Sequence, residues 1–245
     1  MVRAADADIE HAPMESTTMT RRFPQEITDG YLKVSASNVS DACDRLSING
    51  AVTGILPIYP CAKIVGHAAT LKMAKPKDGV KESVIPATFT LIETAGAGAV
   101  LIIDSQDNPT VNCLGGITGA AIRHNGLVGC VADGIMRDVD EYKGYGLPVY
   151  GTGITQQSIR GRSVVAGVDV PVKLGAVTCN PDDLVFADDN GVVVVPREQA
   201  AEVLRIALVI KATEDRVIAA IRSGVRAVEA MDGANYENLN KPQNS

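Results

Sequence analysis

An α/β fold built on parallel strands is what this chain predicts, and three observations carry the prediction. Two apolar runs, residues 99–104 (AVLIID) and 127–132 (LVGCVA), flank a stretch of helical spacing at 115–125. Strand, helix and strand at that period describe a βαβ crossover. Ala, Val, Ile and Gly dominate a composition that is 46% hydrophobic, with no Trp, three Phe and six Tyr, which suits close helix-on-sheet contacts. Finally, 245 residues without an internal repeat are enough for one substantial domain.

The elements follow in order. Residues 1–22 mix Asp, Glu, Ser, Thr and Arg without an apolar run, so they are no secretory signal. Residues 1–30 read as a disordered leader, 31–228 as a single domain and 229–245 as a polar tail. Helical spacing covers 39–46, with Ser37 or Asn38 as N-cap. Residues 54–60 (GILPIYP) form a loop with short extended pieces, and 63–73 a partly alternating strand. A polar surface loop covers 74–82, and 83–94 is a helix with Pro86 near its start. Then come the buried strand 99–104, the helix 115–125 and the buried strand 127–132. Short strands at 147–150, 164–168, 170–174, 184–187 and 191–195 alternate with Gly, Asn-Pro and Asp-Asn-Gly turns. Pro196 suits the first turn of a helix. Residues 197–221 supply that helix, with Leu204, Leu208, Ile210, Val217 and Ile221 as its apolar stripe.

Several function classes drop out. The net charge is −6, and no basic cluster exceeds Arg21-Arg22 or Arg160-Gly-Arg162, which argues against nucleic acid as a partner. The scarce aromatics give no stacking platform for bases. Five cysteines without a C-x-x-C pair indicate neither a zinc knuckle nor a redox pair. Their apolar settings suit reduced, buried thiols and a cytoplasmic compartment. No apolar run approaches the roughly 18 residues that span a bilayer. The glycines between Gly144 and Gly153 lack the strand–turn–helix frame of a dinucleotide site.

The candidate chemistry sits at Gly134-Ile-Met-Arg137-Asp138, where a buried strand ends in a cation beside an anion. Neighbouring side chains in extended backbone point apart. Arg137 can hold a carboxylate through its two-pronged guanidinium, and Asp138 can hold an oxygen-seeking divalent metal. The plain alternative is a surface Arg followed by an Asp capping the next helix. Ligands of parallel sheets collect at the carboxyl ends of strands, and Asp104, Gly115-Gly116 and Arg137-Asp138 are expected along that edge. His67 and His124 read as structural or surface histidines, Asp41 and Asp44 as a solvated helix face, and Tyr142 and Tyr145 carry no assigned chemistry.

The runs Leu114-Gly-Gly-Ile-Thr118, Gly126-Leu-Val-Gly-Cys-Val-Ala-Asp-Gly-Ile-Met-Arg-Asp138 and Asn180-Pro-Asp-Asp-Leu-Val-Phe-Ala-Asp-Asp-Asn-Gly-Val-Val-Val-Val-Pro196 together resemble the RraA-like superfamily. So do Leu147-Pro-Val-Tyr150 and the stretch at 167–172. The resemblance covers roughly residues 35–225. It implies an α/β/β/α swivelling-type sandwich, assembled as a homotrimer or homohexamer with active sites between subunits. It also implies a metal-dependent pyruvate aldolase, cleaving a 4-hydroxy-2-oxo di- or tricarboxylic acid to pyruvate and a second oxo acid, with oxaloacetate decarboxylation as a side reaction.

By that resemblance Arg137 binds the substrate carboxylate, Asp138 ligates Mg²⁺ or Mn²⁺, and the N–H groups of Gly116, Ile117 and Thr118 complete the carboxylate cradle. Glu214 is implied to assist from a neighbouring subunit. The sequence departs from the aldolases at Gly116, where they carry an acid that orients a catalytic water. Asp104 and Asp107 are the nearest carboxylates along the chain to replace it. A non-catalytic regulator, or a lyase for a different 2-oxo or hydroxy acid, are the alternatives that this glycine leaves open.

Overall fold

A computed structural model describes residues 21–77 and 83–234. In chain order its elements are α1 (Gln25–Tyr31), α2 (Ala36–Arg45), β1 (Ala51–Val52), β2 (Leu56–Pro57), β3 (Ile64–Ala74), α3 (Ile85–Thr94), β4 (Ala99–Asp104), β5 (Asn112–Leu114), α4 (Gly116–His124), β6 (Gly129–Asp133) and β7 (Ile135–Met136). There follow α5 (Val139–Tyr145), β8 (Val149–Gly151), β9 (Gly153–Ile154), β10 (Val164–Val168), β11 (Val172–Leu174), β12 (Val177–Cys179), β13 (Leu184–Asp188), β14 (Gly191–Val195), α6 (Ala200–Arg222) and α7 (Ala227–Gly233).

The main sheet runs β1-β14-β13-β3-β4-β6-β8-β2, with β10 added beside β3. Strands β3, β4, β6 and β8 are parallel, each joined to the next through α3, α4 or α5. The expected crossover is therefore present. The remaining partners are antiparallel: β13 pairs with the first half of β3 and β10 with its second half.

Alternation along the strands builds two β-layers from this one sheet. Val185 and Ala187 of β13 face inward while Leu184 and Phe186 face out, as a period of two requires. The inward set meets Val100, Ile102, Val131 and Tyr150 from the parallel strands, together with Val172, Leu174 and Val177 of the β11–β12 hairpin. Outside one layer, α1, α2 and α6 cover Leu184, Phe186, Val193 and Val195. Outside the other, α3, α4 and α5 cover Leu101, Ile103, Cys130, Ala132 and Val149. The order of layers is α/β/β/α, as expected.

Three expectations are corrected. The leader does not extend to residue 30. Phe23, Ile27, Gly30 and Tyr31 recur at helical spacing and put α1 against α6, where Gly30 touches Leu204 and the Tyr31 hydroxyl donates to the Ala200 carbonyl at 2.8 Å. Arg21 pins the segment's start by bonding Asp182 at 2.6 Å and Asp169 at 3.1 Å. Second, the first predicted helix begins earlier, at Ala36. Its N-cap is Ser35, in a capping box with Asn38, so the hydroxyl accepts the Asn38 N–H and the Asn38 side chain answers the Ser35 N–H. Third, the tail expected from 229 overlaps α7, which buries Ala230. Residues 1–20, 78–82 and 235–245, on which the rest of the leader, loop and tail readings fall, lie outside the described residues. Among the described residues no helix is long and apolar enough to cross a membrane.

Candidate active site

The site is mounted on a second, small sheet. Strands β5, β7 and β9 lie parallel, and their register sets Leu114 beside Met136. The chain leaves both strands at the same level, so Gly115-Gly116 emerges next to Arg137-Asp138. Two bonds hold the junction: the Arg137 N–H donates to the Leu114 carbonyl at 3.2 Å, and the buried Tyr142 hydroxyl donates to that same oxygen at 2.7 Å. Burial pushes the Tyr142 phenol well above its ordinary value, so it remains a donor.

Asp138 has φ 63° and ψ 40°, the left-handed region that Asp tolerates better than most residues. It stands at the N-cap of α5, yet its side chain makes no capping bond there. The carboxylate turns across to the neighbouring helix instead, where Oδ2 accepts the Gly116 N–H at 2.9 Å. The plain reading of Asp138 as the cap of its own helix is thus overturned. Arg137 Nε lies 3.2 Å from the same Oδ2. The contact lacks hydrogen-bond geometry, and that buried nitrogen has no hydrogen-bond partner among the described residues. The contact is one of charge proximity, and the Nε donor stays open.

These groups line a cleft of about 300 Å³ together with Ile85, Phe89, Asn112, Gly115, Ile117, Thr118, Ser158, Ile159 and Arg160. The first-turn amides of α4 have no acceptor within the helix. Gly116 gives its N–H to Asp138, so only Ile117 and Thr118 remain for an incoming anion, a correction to the expected three-donor cradle. Gly115 permits the close approach: a Cβ there would stand 3.2 Å from Asp138 Oδ2 and 3.5 Å from Arg137 Nε. Behind the cleft, burial pushes the Cys113 thiol up to about 12, which leaves no thiolate nucleophile at neutral pH.

Other expected residues are not brought here. Asp104 is buried at the end of β4, where its carboxylate accepts the Lys173 N–H at 3.1 Å and the Gln106 N–H at 3.3 Å. It clamps the β11–β12 hairpin. Neither Asp104 nor Asp107 lines the cleft. The carboxylate that does approach Gly116 is Glu141, on the first turn of α5: a Cβ built on Gly116 would overlap Glu141 Oε2 and its carboxyl carbon. Glu214 lies on α6, accepts the Asn38 side-chain amide at 2.7 Å and borders a different cavity with Ser35, Ser37 and Met231. Within one chain it does not meet Arg137. His67 is buried in β3 with Nε2 2.9 Å from the Ala95 carbonyl, a structural place, as expected. Arg160, Phe89 and Asn112 were not singled out by sequence for this cleft. Arg160 had registered only as half of a short basic cluster.

The chain belongs to the RraA-like (Aldolase/RraA) family, whose sequence profile matches residues 36–194. The Legionella pneumophila protein DlpA is 31% identical over 226 residues, covering 91% of this chain and 35% of DlpA, so the chain spans about a third of that relative's length. A Halalkalibacterium halodurans protein named for 4-hydroxy-4-methyl-2-oxoglutarate aldolase activity is 29% identical over 200 residues, 82% of this chain and 90% of that protein. Among solved structures, Streptomyces coelicolor RraAS2, described as an unusual member of the RNase ES inhibitor RraA family, superposes with TM-score 0.71 at 27% identity. That match covers 79% of this chain and 96% of RraAS2.

Proposed function

We propose that this chain is a divalent-metal-dependent lyase that cleaves a 4-hydroxy-2-oxo di- or tricarboxylic acid to pyruvate and a second oxo acid, and that also decarboxylates oxaloacetate. One observation carries the reading: Asp138 leaves its own helix to bond Gly116, so that a fixed carboxylate, a guanidinium and open helix-start amides converge on one cleft. The aldolase name of the Halalkalibacterium relative supports it.

The donor set fits the metal. Among the described residues no group of three or more His, Cys, Asp and Glu is gathered as a cation cage. A single cleft carboxylate, with Asp138 Oδ1 free of bonds among the described residues, suits Mg²⁺ or Mn²⁺ that keeps most of its water, and does not suit zinc. When bound, such an ion supplies Lewis-acid stabilisation of the enolate of a 2-oxo acid. The chain's own residues do the rest. Arg137 grips the substrate carboxylate in a bidentate way, Ile117 and Thr118 donate backbone N–H groups to it, and Ile85, Phe89 and Ile159 keep bulk water from one wall. Arg160, which also lines the cleft, carries the charge for a second carboxylate of the substrate.

Assembly as a homotrimer or homohexamer belongs to the same proposal, with Glu214 reaching the site of an adjoining copy. A mass measurement in solution checks that part. The reaction is tested by following pyruvate release from 4-hydroxy-4-methyl-2-oxoglutarate and from oxaloacetate, with Mg²⁺ or Mn²⁺ and with chelator. Folded protein that releases none from either sinks the proposal.

A second reading, a non-catalytic regulator, is favoured by the absent side chain at Gly116 and by the likeness to RraAS2. Calorimetric titration with Mn²⁺, in the presence and absence of oxalate, separates the two. Metal binding strengthened by oxalate supports the lyase, and no binding supports the regulator.

A further inference from the structure

We propose that Glu141, which stands against Gly116 beside the cleft and not among its lining residues, is the proton acceptor of this site, its carboxylate filling the volume that residue 116 leaves without a side chain. The proposal rests on the lyase reading above. Gly116 and Glu141 are 25 positions apart on different helices, yet a Cβ on Gly116 would overlap the Glu141 carboxylate. The Glu141 N–H donates to the Asp138 carbonyl at 3.0 Å, which fixes it one turn beyond the cleft carboxylate. The Glu141 carboxylate also faces the start of α4, where the helix dipole favours an anion.

Among the described residues Glu141 is the carboxylate best placed to take a proton here. Asp138 Oδ2 is held by the Gly116 N–H and the charge of Arg137. Asp104 is bonded away under the hairpin. Glu141 has one side-chain partner, the Tyr145 hydroxyl at 3.4 Å, a distance at which the bond is weak and easily given up. Glu141 is exposed, so solvent reaches it.

The step balances with what the substrate brings. The 4-hydroxyl proton passes through one water to the Glu141 carboxylate, and the oxygen's electron pair forms the new carbonyl of the departing oxo acid. The C3–C4 bond breaks and its electron pair becomes the pyruvate enolate. The proton then returns from Glu141 through water to C3. Decarboxylation of oxaloacetate has no hydroxyl proton to remove, so it needs this group less.

The test uses the full chain with Mn²⁺ and compares wild type, Glu141→Gln, Glu141→Ala and the double variant Glu141→Ala/Gly116→Asp. Glu141→Gln is expected to lower kcat on 4-hydroxy-4-methyl-2-oxoglutarate about a hundredfold, with a much smaller change in KM. The loss should exceed the loss on oxaloacetate. Restoring a carboxylate from the other helix, in the double variant, should recover part of the activity lost in Glu141→Ala, which a role confined to helix stability would not do. Glu141→Gln turning over within about threefold of wild type overturns the proposal. So does equal loss on both substrates accompanied by a lowered melting temperature. Wild type active on oxaloacetate alone overturns the Glu141 assignment and leaves a lyase standing, whereas inactivity on both overturns the lyase reading as well.

Discussion

The N–H of Gly116 donates to Asp138 Oδ2 at 2.9 Å, joining the first residue of one helix to the residue that opens the next. The bond orients a carboxylate into the cleft and withdraws one amide from anion binding.

Replacing Asp138 by Ala removes that bond and puts a residue less suited to positive φ into the left-handed region. A stability loss of about 1–2 kcal/mol is expected, readable in urea unfolding. Loss of metal-stimulated pyruvate release should be near complete. Asp138→Asn keeps the backbone preference and a bond acceptor, so it should recover most of the stability and none of the activity.

Arg137→Lys keeps the charge and loses the fork. A hydrogen bond to a charged group is worth about 1.5–3 kcal/mol, so kcat/KM for a 2-oxo acid should fall roughly tenfold to hundredfold. Steady-state kinetics check this, and an unchanged value would mean that the substrate carboxylate is held elsewhere.

Chelation should abolish pyruvate release, and excess Mn²⁺ or Mg²⁺ should restore it. The single cleft carboxylate implies weak binding of the free ion, strengthened by oxalate. Tight zinc binding in titration would contradict the donor set.

His67 supplies a pH dependence of stability. Its Nε2 needs a hydrogen to meet the Ala95 carbonyl, so the further proton of the charged form would go on Nδ1, which is buried without a partner among the described residues. Burial lowers its value from the ordinary 6.5. Both folded and unfolded chains hold the neutral ring above 6.5, and stability there is complete. Below it the unfolded chain takes up the proton first, and stability falls until the folded ring is also charged. Melting temperatures between pH 5 and 8 should decline on the acid side, and His67→Gln should flatten the decline.

Much of the architecture was legible because burial writes itself into strands. Residues 99–104 and 127–132 are apolar on both faces and bounded by turns, and they became β4 and β6 with little shift. The Arg137-Asp138 pair was legible for the same reason: it follows such a strand. The short strands β5, β7 and β9 were not, since two or three residues carry no period. Yet they set the register of the two loops. Helix α1 hid inside a polar-looking leader because its apolar face is only Ile27 and Tyr31 wide, with Phe23 just ahead of it. The place of Glu141 had no signal in one dimension, since an empty volume at Gly116 can be filled from any direction in space.

The left-handed backbone at position 138 acts as a filter on descent. Asp, Asn and Gly are the residues that sit there at low cost, and of these only Asp brings a carboxylate. A lineage that abandoned the chemistry while keeping the fold would therefore drift first to Asn or Gly at this position. This chain has Asp.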